Sequence, residues 1–162
     1  MNLIPRKLHS LGEACEIREQ LRDLGKRVVL TNGCFDLLHV GHVYSLENAA
    51  KHGDSLWVAL NSDGSVKLLK GASRPIFPEI SRAYILSALE CVSGIFIFGG
   101  ERLAGEISLF KPDIYVKSGG YSLESLDKTE LMALRSVQAT VKFTPPVAGV
   151  STTDIITSVK KA

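Results

Sequence analysis

One stretch, Thr31-Asn32-Gly33-Cys34-Phe35-Asp36-Leu37-Leu38-His39-Val40-Gly41-His42, constrains what this chain can fold into more than any other. It follows the apolar, β-rich run Arg27-Val28-Val29-Leu30 and leads into a segment with helical patterning. Two histidines three apart, with a glycine before the second, thus stand where a strand hands over to a helix. Helix N-termini present unbonded N–H groups, and the macrodipole favours anions there. Gly41 removes a side chain that would hold a ligand off the backbone. His39 and His42 can each donate a hydrogen bond to a phosphate oxygen. A strand–loop–helix unit with these residues points to chemistry on a nucleotide phosphate. A helix-capping or core role for the histidines is the plainer alternative. A zinc site is the poorer one, because no third ligand has suitable spacing.

The rest of the chain supplies the sheet that such a unit needs. Ser10-Leu11-Gly12-Glu13 has the S-x-x-E form of a capping box, and apolar residues recur at helical spacing up to Gly25. Strands are expected at Val28–Leu30, Leu56–Leu60, Ile95–Phe98, Ile114–Val116 and Thr140–Phe143. Helices are expected at Val43–Lys51, Ser65–Leu69, Pro78 to about Cys91, Glu101–Phe110, Leu126–Arg135 and Ser151–Lys160. This alternation predicts a single α/β domain: a Rossmann-like parallel five-stranded sheet with helices on both faces. Residues 1–25 read as an N-terminal helical extension and 26–162 as the main domain. In such sheets ligands bind beyond the carboxyl ends of the strands. His39 and His42 follow strand one, Asn61 and Asp63 strand two, and Lys117 strand four, while Gly149–Thr153 lies between strand five and the last helix.

Composition excludes several classes. A chain of 162 residues with 45% hydrophobic and 22% charged residues reads as one soluble globular domain. A net charge of +2 without a basic stripe argues against nucleic-acid binding. No apolar run is long enough to span a membrane, and the N-terminus lacks the apolar core of a signal peptide. Cys15, Cys34 and Cys91 show neither metal-ligand nor disulfide spacing. A reducing cytoplasm is the expected location.

Five blocks in order carry a family resemblance. They are His39-Val40-Gly41-His42, Asn61-Ser62-Asp63, Lys70-Gly71-Ala72-Ser73-Arg74-Pro75, Val116-Lys117-Ser118-Gly119-Gly120-Tyr121 and Gly149-Val150-Ser151-Thr152-Thr153. The chain resembles the HxGH nucleotidyltransferase superfamily, and most of all the adenylyltransferase domain of ADP-heptose synthase. That resemblance implies transfer of AMP from ATP, with Mg²⁺, to a heptose 1-phosphate with release of pyrophosphate. It also implies a homodimer, and a separate sugar kinase acting upstream.

The resemblance assigns catalysis to His39, His42 and Lys117. Nucleotide binding falls to Thr31, Asn32, Gly33, Cys34, Phe35, Gly41, Asn61, Asp63, Lys70, Arg74, Gly149, Ser151, Thr152 and Thr153, with no metal ligand among the side chains. The backbone of Thr31–Phe35 would pass beneath the phosphates, Gly33 allowing close approach. Cys34 reads as an inert small side chain rather than a nucleophile, since the reaction needs no thiolate. Asp36 is expected to fix the loop by accepting backbone N–H bonds. Ser151 would cap the last helix, which is compatible with phosphate binding there. Lys70, Arg74 and Arg82 sit on or near a proline-containing loop that would close over substrate. Arg82 has an alternative partner in Glu79 at i, i+3.

Departures bear on the substrate. Glycerol-phosphate cytidylyltransferases carry a lysine where Tyr44 stands, Arg-Thr-Glu where Pro146-Val147-Ala148 stands, and an acidic pair where Gly119-Gly120 stands. The heptose family shares the first departure but usually reads Lys-Gly-Gly-Asp-Tyr after strand four, so its acidic residue is lost at Gly120. Two alternatives stay open: a cytidylyltransferase acting on glycerol 3-phosphate or another polyol or sugar phosphate, and a nucleotide-binding module without catalysis.

Overall fold

Strand pairing sets the architecture. In the computed structural model, which describes residues 5–145, 147 and 149–161 (for Lys160, the backbone only), five strands form one parallel sheet. They are β1 (Val28–Gly33), β2 (Ser55–Asn61), β3 (Gly94–Phe98), β4 (Ile114–Ser118) and β5 (Thr140–Thr144). Seven helices occur among the described residues: α1 (Leu11–Asp23), α2 (Val40–Ala50), α3 (Asp63–Lys70), α4 (Glu79–Ser87), α5 (Ala104–Phe110), α6 (Lys128–Ser136) and α7 (Thr152–Lys161). The strand order is β3-β2-β1-β4-β5. The chain therefore builds outward from β1 in one direction and then returns to add β4 on its other side. The reversal lies between β1 and β4, and the crevice beyond their carboxyl ends is the preferred ligand position in an open α/β sheet.

Side chains alternate across the strands and feed two cores. Val28, Leu30, Trp57, Ala59, Phe96 and Tyr115 pack with Ala14 of α1, Ile107 and Phe110 of α5 and Leu134 of α6. Val29, Leu56, Val58, Leu60, Ile95 and Val116 pack with Leu46 and Ala49 of α2 and Ala83 and Leu86 of α4. Helices thus cover both faces, as the alternating pattern predicts. Gly94 is forced by this packing: a Cβ there would lie 2.5 Å from the Trp57 ring.

The N-terminal helix joins the same core. Ser10 and Glu13 form the expected capping box at its start. The Arg18 guanidinium, buried, donates to the Lys111 carbonyl at 2.9 Å and to Asp113 at 3.0 Å. Asp113 in turn accepts from the Val28 amide at 2.7 Å, so α1 is tied to the start of β1 and to the turn before β4.

Element ends differ from the sequence reading for identifiable reasons. β1 continues to Gly33 because the parallel ladder with β2 extends from Val28↔Ser55 to Gly33↔Leu60. Thr-Asn-Gly reads locally as a turn, yet pairing keeps it extended. α2 starts earlier, at Val40, with His39 as its N-cap. α4 stops at Ser87 rather than near Cys91, because i→i−3 bonds at Ala88, Leu89 and Val92 reverse the chain so that Ser93 reaches the Leu56 carbonyl. α5 starts at Ala104 rather than Glu101, since the Leu103 amide is held by the Glu130 carboxylate at 3.0 Å.

Candidate active site

The site begins at the carboxyl end of β1. Phe35 adopts φ 44° and turns its ring back over Gly33, where a Cβ would meet that ring at 2.9 Å. Gly33 is therefore needed first for this turn, and only through it for ligand approach. The Phe35 ring meets His42 edge-on at 5.2 Å, and His42 stacks on His39 with centroids 3.8 Å apart and planes 22° from parallel. Gly41 completes the arrangement, since a Cβ would lie 3.1 Å from the His39 ring. The two glycines thus position imidazoles. His39 is the N-cap of α2 but makes no side-chain capping bond. Nδ1 of both histidines is buried without a hydrogen-bond partner. Buried polar atoms are rarely left so, and both stacked rings border a cleft.

Burial also sets their charge. Desolvation, then the His39 ring, push His42 down to about 4, opposed by the backbone of Leu37. Burial lowers His39 as well. Both rings are neutral N–H donors at pH 7. The folded His42 pKa lies below its unfolded value, so the unfolded chain binds more protons between about pH 6.5 and 4. Stability is expected to be intact above pH 6.5 and to fall as pH drops toward 4. Urea midpoints measured across that range for the protein and for His42→Ala check this: the variant's profile should be flatter, and an equally steep one would remove His42 as the cause.

Opposite the histidines, Lys117 leaves β4 into a prepared polar seat. Its Nζ donates to Asn32 Oδ1 at 2.8 Å and to the Tyr115 hydroxyl at 3.3 Å, and lies 3.9 Å from the Glu130 carboxylate. Tyr115 also donates to Asn32 Oδ1, at 2.8 Å. Asn32 thus holds Lys117 with its side chain. Burial lowers the Lys117 pKa, with Glu130 opposing.

The 71–78 loop between α3 and α4 is locked from below. Asp36 accepts from the Arg74 guanidinium and from the amides of Ile76 and Phe77 at 2.7 and 3.0 Å. Its expected role in fixing backbone is thus met, across forty residues of sequence rather than within its own turn. Arg82 is buried and reaches into the β1 loop, donating to the Cys34 carbonyl at 2.6 Å, the Phe77 carbonyl at 3.0 Å and Asp63 at 2.8 Å. It neither faces substrate nor pairs with Glu79.

A cavity of about 570 Å³ gathers most of the expected residues. Thr31, Asn32, Gly33, Cys34 and Phe35 form its β1 wall, His39, Gly41 and His42 its α2 wall, and Lys117 its β4 wall. Asn61, Lys70 and Arg74 border one end, and Ser151, Thr152 and Thr153 the other. Within this set Thr31 directs its hydroxyl to the Val116 carbonyl at 2.8 Å, so it braces β1 against β4. Burial raises the Cys34 pKa, in line with an inert thiol. Ser151 caps α7, accepting from the Asp154 amide at 3.1 Å. Gly149 stands just outside the cavity wall, at φ 75°, and allows the chain to turn into that cap. Asp63 does not join the cavity. It follows β2 as expected, but its carboxylate is taken by Arg82. Pro146 and Ala148, which depart from the cytidylyltransferase pattern, lie outside the described residues; Val147 borders the cavity.

Glu130, Tyr115 and Arg102 were not singled out by the sequence reading. Glu130 carried one usable signal: it stands on α6 between the apolar Leu126 before the helix and Ala133 and Leu134 within it, and a carboxylate buried there needs a cationic or N–H partner.

The chain is similar to known proteins. The Cytidylyltransferase-like family model matches residues 30–158. The chain belongs to the cytidylyltransferase-like family. Within the family it is 43% identical over 154 residues to the bifunctional protein HldE of Geotalea uraniireducens, covering 95% of this chain and 31% of that protein. It is 45% identical over 147 residues to the bifunctional protein HldE of Syntrophotalea carbinolica, covering 86% and 30%. The chain thus spans about a third of the length of these relatives. Among solved structures, the lipopolysaccharide core biosynthesis protein of Thermoplasma volcanium superposes with a TM-score of 0.62 at 30% identity, covering 76% of this chain and 98% of that one. The pantoate–beta-alanine ligase of Francisella tularensis shares the fold, with a TM-score of 0.56 at 12% identity over 95% of this chain and 77% of that one.

Proposed function

We propose that the chain is a nucleotidyltransferase that transfers AMP from ATP to a sugar 1-phosphate, best read as D-glycero-β-D-manno-heptose 1-phosphate. The observation that carries this reading is the stacked pair His39 and His42, with unpartnered Nδ1 atoms, in a cavity that also holds Lys117. The resemblance to ADP-heptose synthase supports the acceptor. So does the name of the structural neighbour, since polysaccharide assembly uses nucleotide-activated sugars.

A phosphate monoester oxygen of the acceptor attacks the α-phosphorus, forming a new P–O bond. The bond to the bridging oxygen breaks, and pyrophosphate leaves with the electron pair. The acceptor is already an anionic nucleophile, so no general base is required; its second pKa is about 6. The barrier is repulsion between anions, and positioning plus neutralisation lower it. His39 and His42 donate neutral N–H bonds to the α-phosphate and leaving oxygens. Lys117 holds a cation at the β4 side. The amides of Thr152 and Thr153 open α7 toward the β- and γ-phosphates.

Mg²⁺ is expected to arrive chelated by the triphosphate. Mg²⁺ sites usually pair one or two carboxylates with substrate phosphates. Of the carboxylates that line the cavity, Asp36 and Glu130 are committed to Arg74, Leu103 and Lys117, whereas Glu101 has no such partner among the described residues. Glu101 would be the protein's contribution to such an ion, the triphosphate supplying the other oxygens and the ion neutralising phosphate charge.

The reading extends to a cytoplasmic homodimer. No helix among the described residues is long and apolar enough to cross a membrane. Ile76, Phe77, Ile80 and Tyr84 form an exposed apolar strip along α4 and its approach that suits an interface.

Two measurements test this. Pyrophosphate release should be strongest with ATP and heptose 1-phosphate in a matrix that includes CTP, other sugar 1-phosphates and glycerol 3-phosphate. A signal confined to CTP would move the donor, and one confined to glycerol 3-phosphate would move the acceptor. The second concerns Lys117, whose cation is favoured by Glu130, Cys34 and Asp127 and disfavoured by burial and Arg102. Glu130→Gln removes the largest favourable charge, so the alkaline limb of the kcat/KM profile should shift to lower pH. An unmoved limb would show that Glu130 does not govern Lys117.

A further inference from the structure

A second cavity, of about 450 Å³, opens beside the first and shares Arg102, Lys117, Tyr121 and Glu130 with it. Its outer wall is the start of α6, where Asp127 caps the helix. Asp127 divides its oxygens: Oδ1 accepts from the Thr129 and Glu130 amides at 2.8 and 3.3 Å, and Oδ2 holds Arg102 Nε at 3.1 Å. The Arg102 guanidinium is thereby oriented while its two terminal nitrogens have no partner among the described residues. Lys117 reaches the same space from β4 and lies 5.3 Å from the centre of the half-exposed Tyr121 ring. The 119–120 turn between them carries no side chains, with φ 107° at Gly119 and 79° at Gly120.

We propose that this cavity is the acceptor subsite, and that it takes a phosphorylated polyhydroxy compound. The inference rests on the nucleotidyltransferase reading. The acceptor phosphate lies between Arg102 and Lys117, at the seam of the two cavities, where its oxygen can face a nucleotide phosphate in the larger one. Two cations on a dianion match in charge, and the fork of Arg102 suits its oxygens. The Tyr121 ring offers a flat apolar wall to the carbon skeleton, and the Asp127 carboxylate accepts from its hydroxyls. Arg102 is a binding residue in this account and Asp127 both positions it and selects for hydroxyls.

The test is a calorimetric titration of heptose 1-phosphate onto the full chain with α,β-methylene-ATP bound, run beside steady-state kinetics. Arg102→Ala should weaken the sugar phosphate by about tenfold to a hundredfold and leave the ATP affinity within about twofold. Asp127→Asn keeps a good helix cap and should raise the acceptor KM without changing the ATP KM. Inorganic phosphate should bind far more weakly than the sugar phosphate. Unchanged acceptor binding in Arg102→Ala, an equal loss of ATP binding, or inorganic phosphate binding as tightly as the sugar phosphate would each overturn the subsite. Acceptor binding that depends on Arg102 without any pyrophosphate release would sink the nucleotidyltransferase reading and leave the subsite standing.

Discussion

His42→Ala is expected to lower kcat by about 10²–10³-fold, the usual loss when one donor to developing charge is removed from a preorganised site. The imidazole is neutral, buried and held on two sides, by Phe35 and by His39, so it needs no reorganisation as charge develops. Ground-state nucleotide binding should change much less than kcat, because the interaction strengthens only as the bridging oxygen becomes anionic. The variant should stay folded, since the ring lines a cavity and gives up only a weak interaction with the Leu37 backbone. Single-turnover kinetics with a nucleotide-binding isotherm check both halves. A loss confined to nucleotide affinity would make His42 a binding residue only.

Arg82→Met is expected to destabilise the fold by about 3–5 kcal/mol, the range seen when one partner of a buried polar pair is removed. The guanidinium is fully buried and joins three separate segments: Cys34 on the β1 loop, Phe77 before α4 and Asp63 at the start of α3. Methionine fills much of the volume but leaves the Cys34 and Phe77 carbonyls without their donor. Asp63 is partly exposed and can regain water, so most of the cost falls on the two carbonyls. Nucleotide affinity should fall as well, because Cys34 belongs to the cavity wall that Arg82 holds in place. Denaturant midpoints give the first quantity and nucleotide titration the second. A loss below about 1 kcal/mol would show that the loop is held by Asp36 and Arg74 alone.

Local patterns carried the elements, and long-range contacts decided what each residue does. The strands were legible because both sheet faces are covered, which writes short apolar runs such as Leu56–Leu60 into the sequence. The order β3-β2-β1-β4-β5 makes β1 central and puts His39, His42 and Lys117 at one crevice. Strand ends were less legible: Thr31–Gly33 has turn composition and is extended only because β2 pairs with it.

The candidate site divides in the same way. Lys117 could be placed from its position after a buried strand. Its seat could not, since Asn32 and Glu130 come from different elements. Asp63 was read as a nucleotide-binding residue and Arg82 as a neighbour of the covering loop or a partner of Glu79, and their mutual ion pair satisfies both away from the cavity. Gly33 and Gly41 were read as room for a ligand. They are room for the rings of Phe35 and His39, which local sequence cannot distinguish.

The central claim is direct transfer of AMP within the cavity that holds the two histidines. Incubation with α-³²P-labelled ATP, Mg²⁺ and heptose 1-phosphate tests it in one measurement. The account predicts label in a nucleotide sugar, one pyrophosphate per labelled product, and none retained on the protein. Tight ATP binding with neither labelled product nor pyrophosphate, or label covalently attached to the chain, would contradict it.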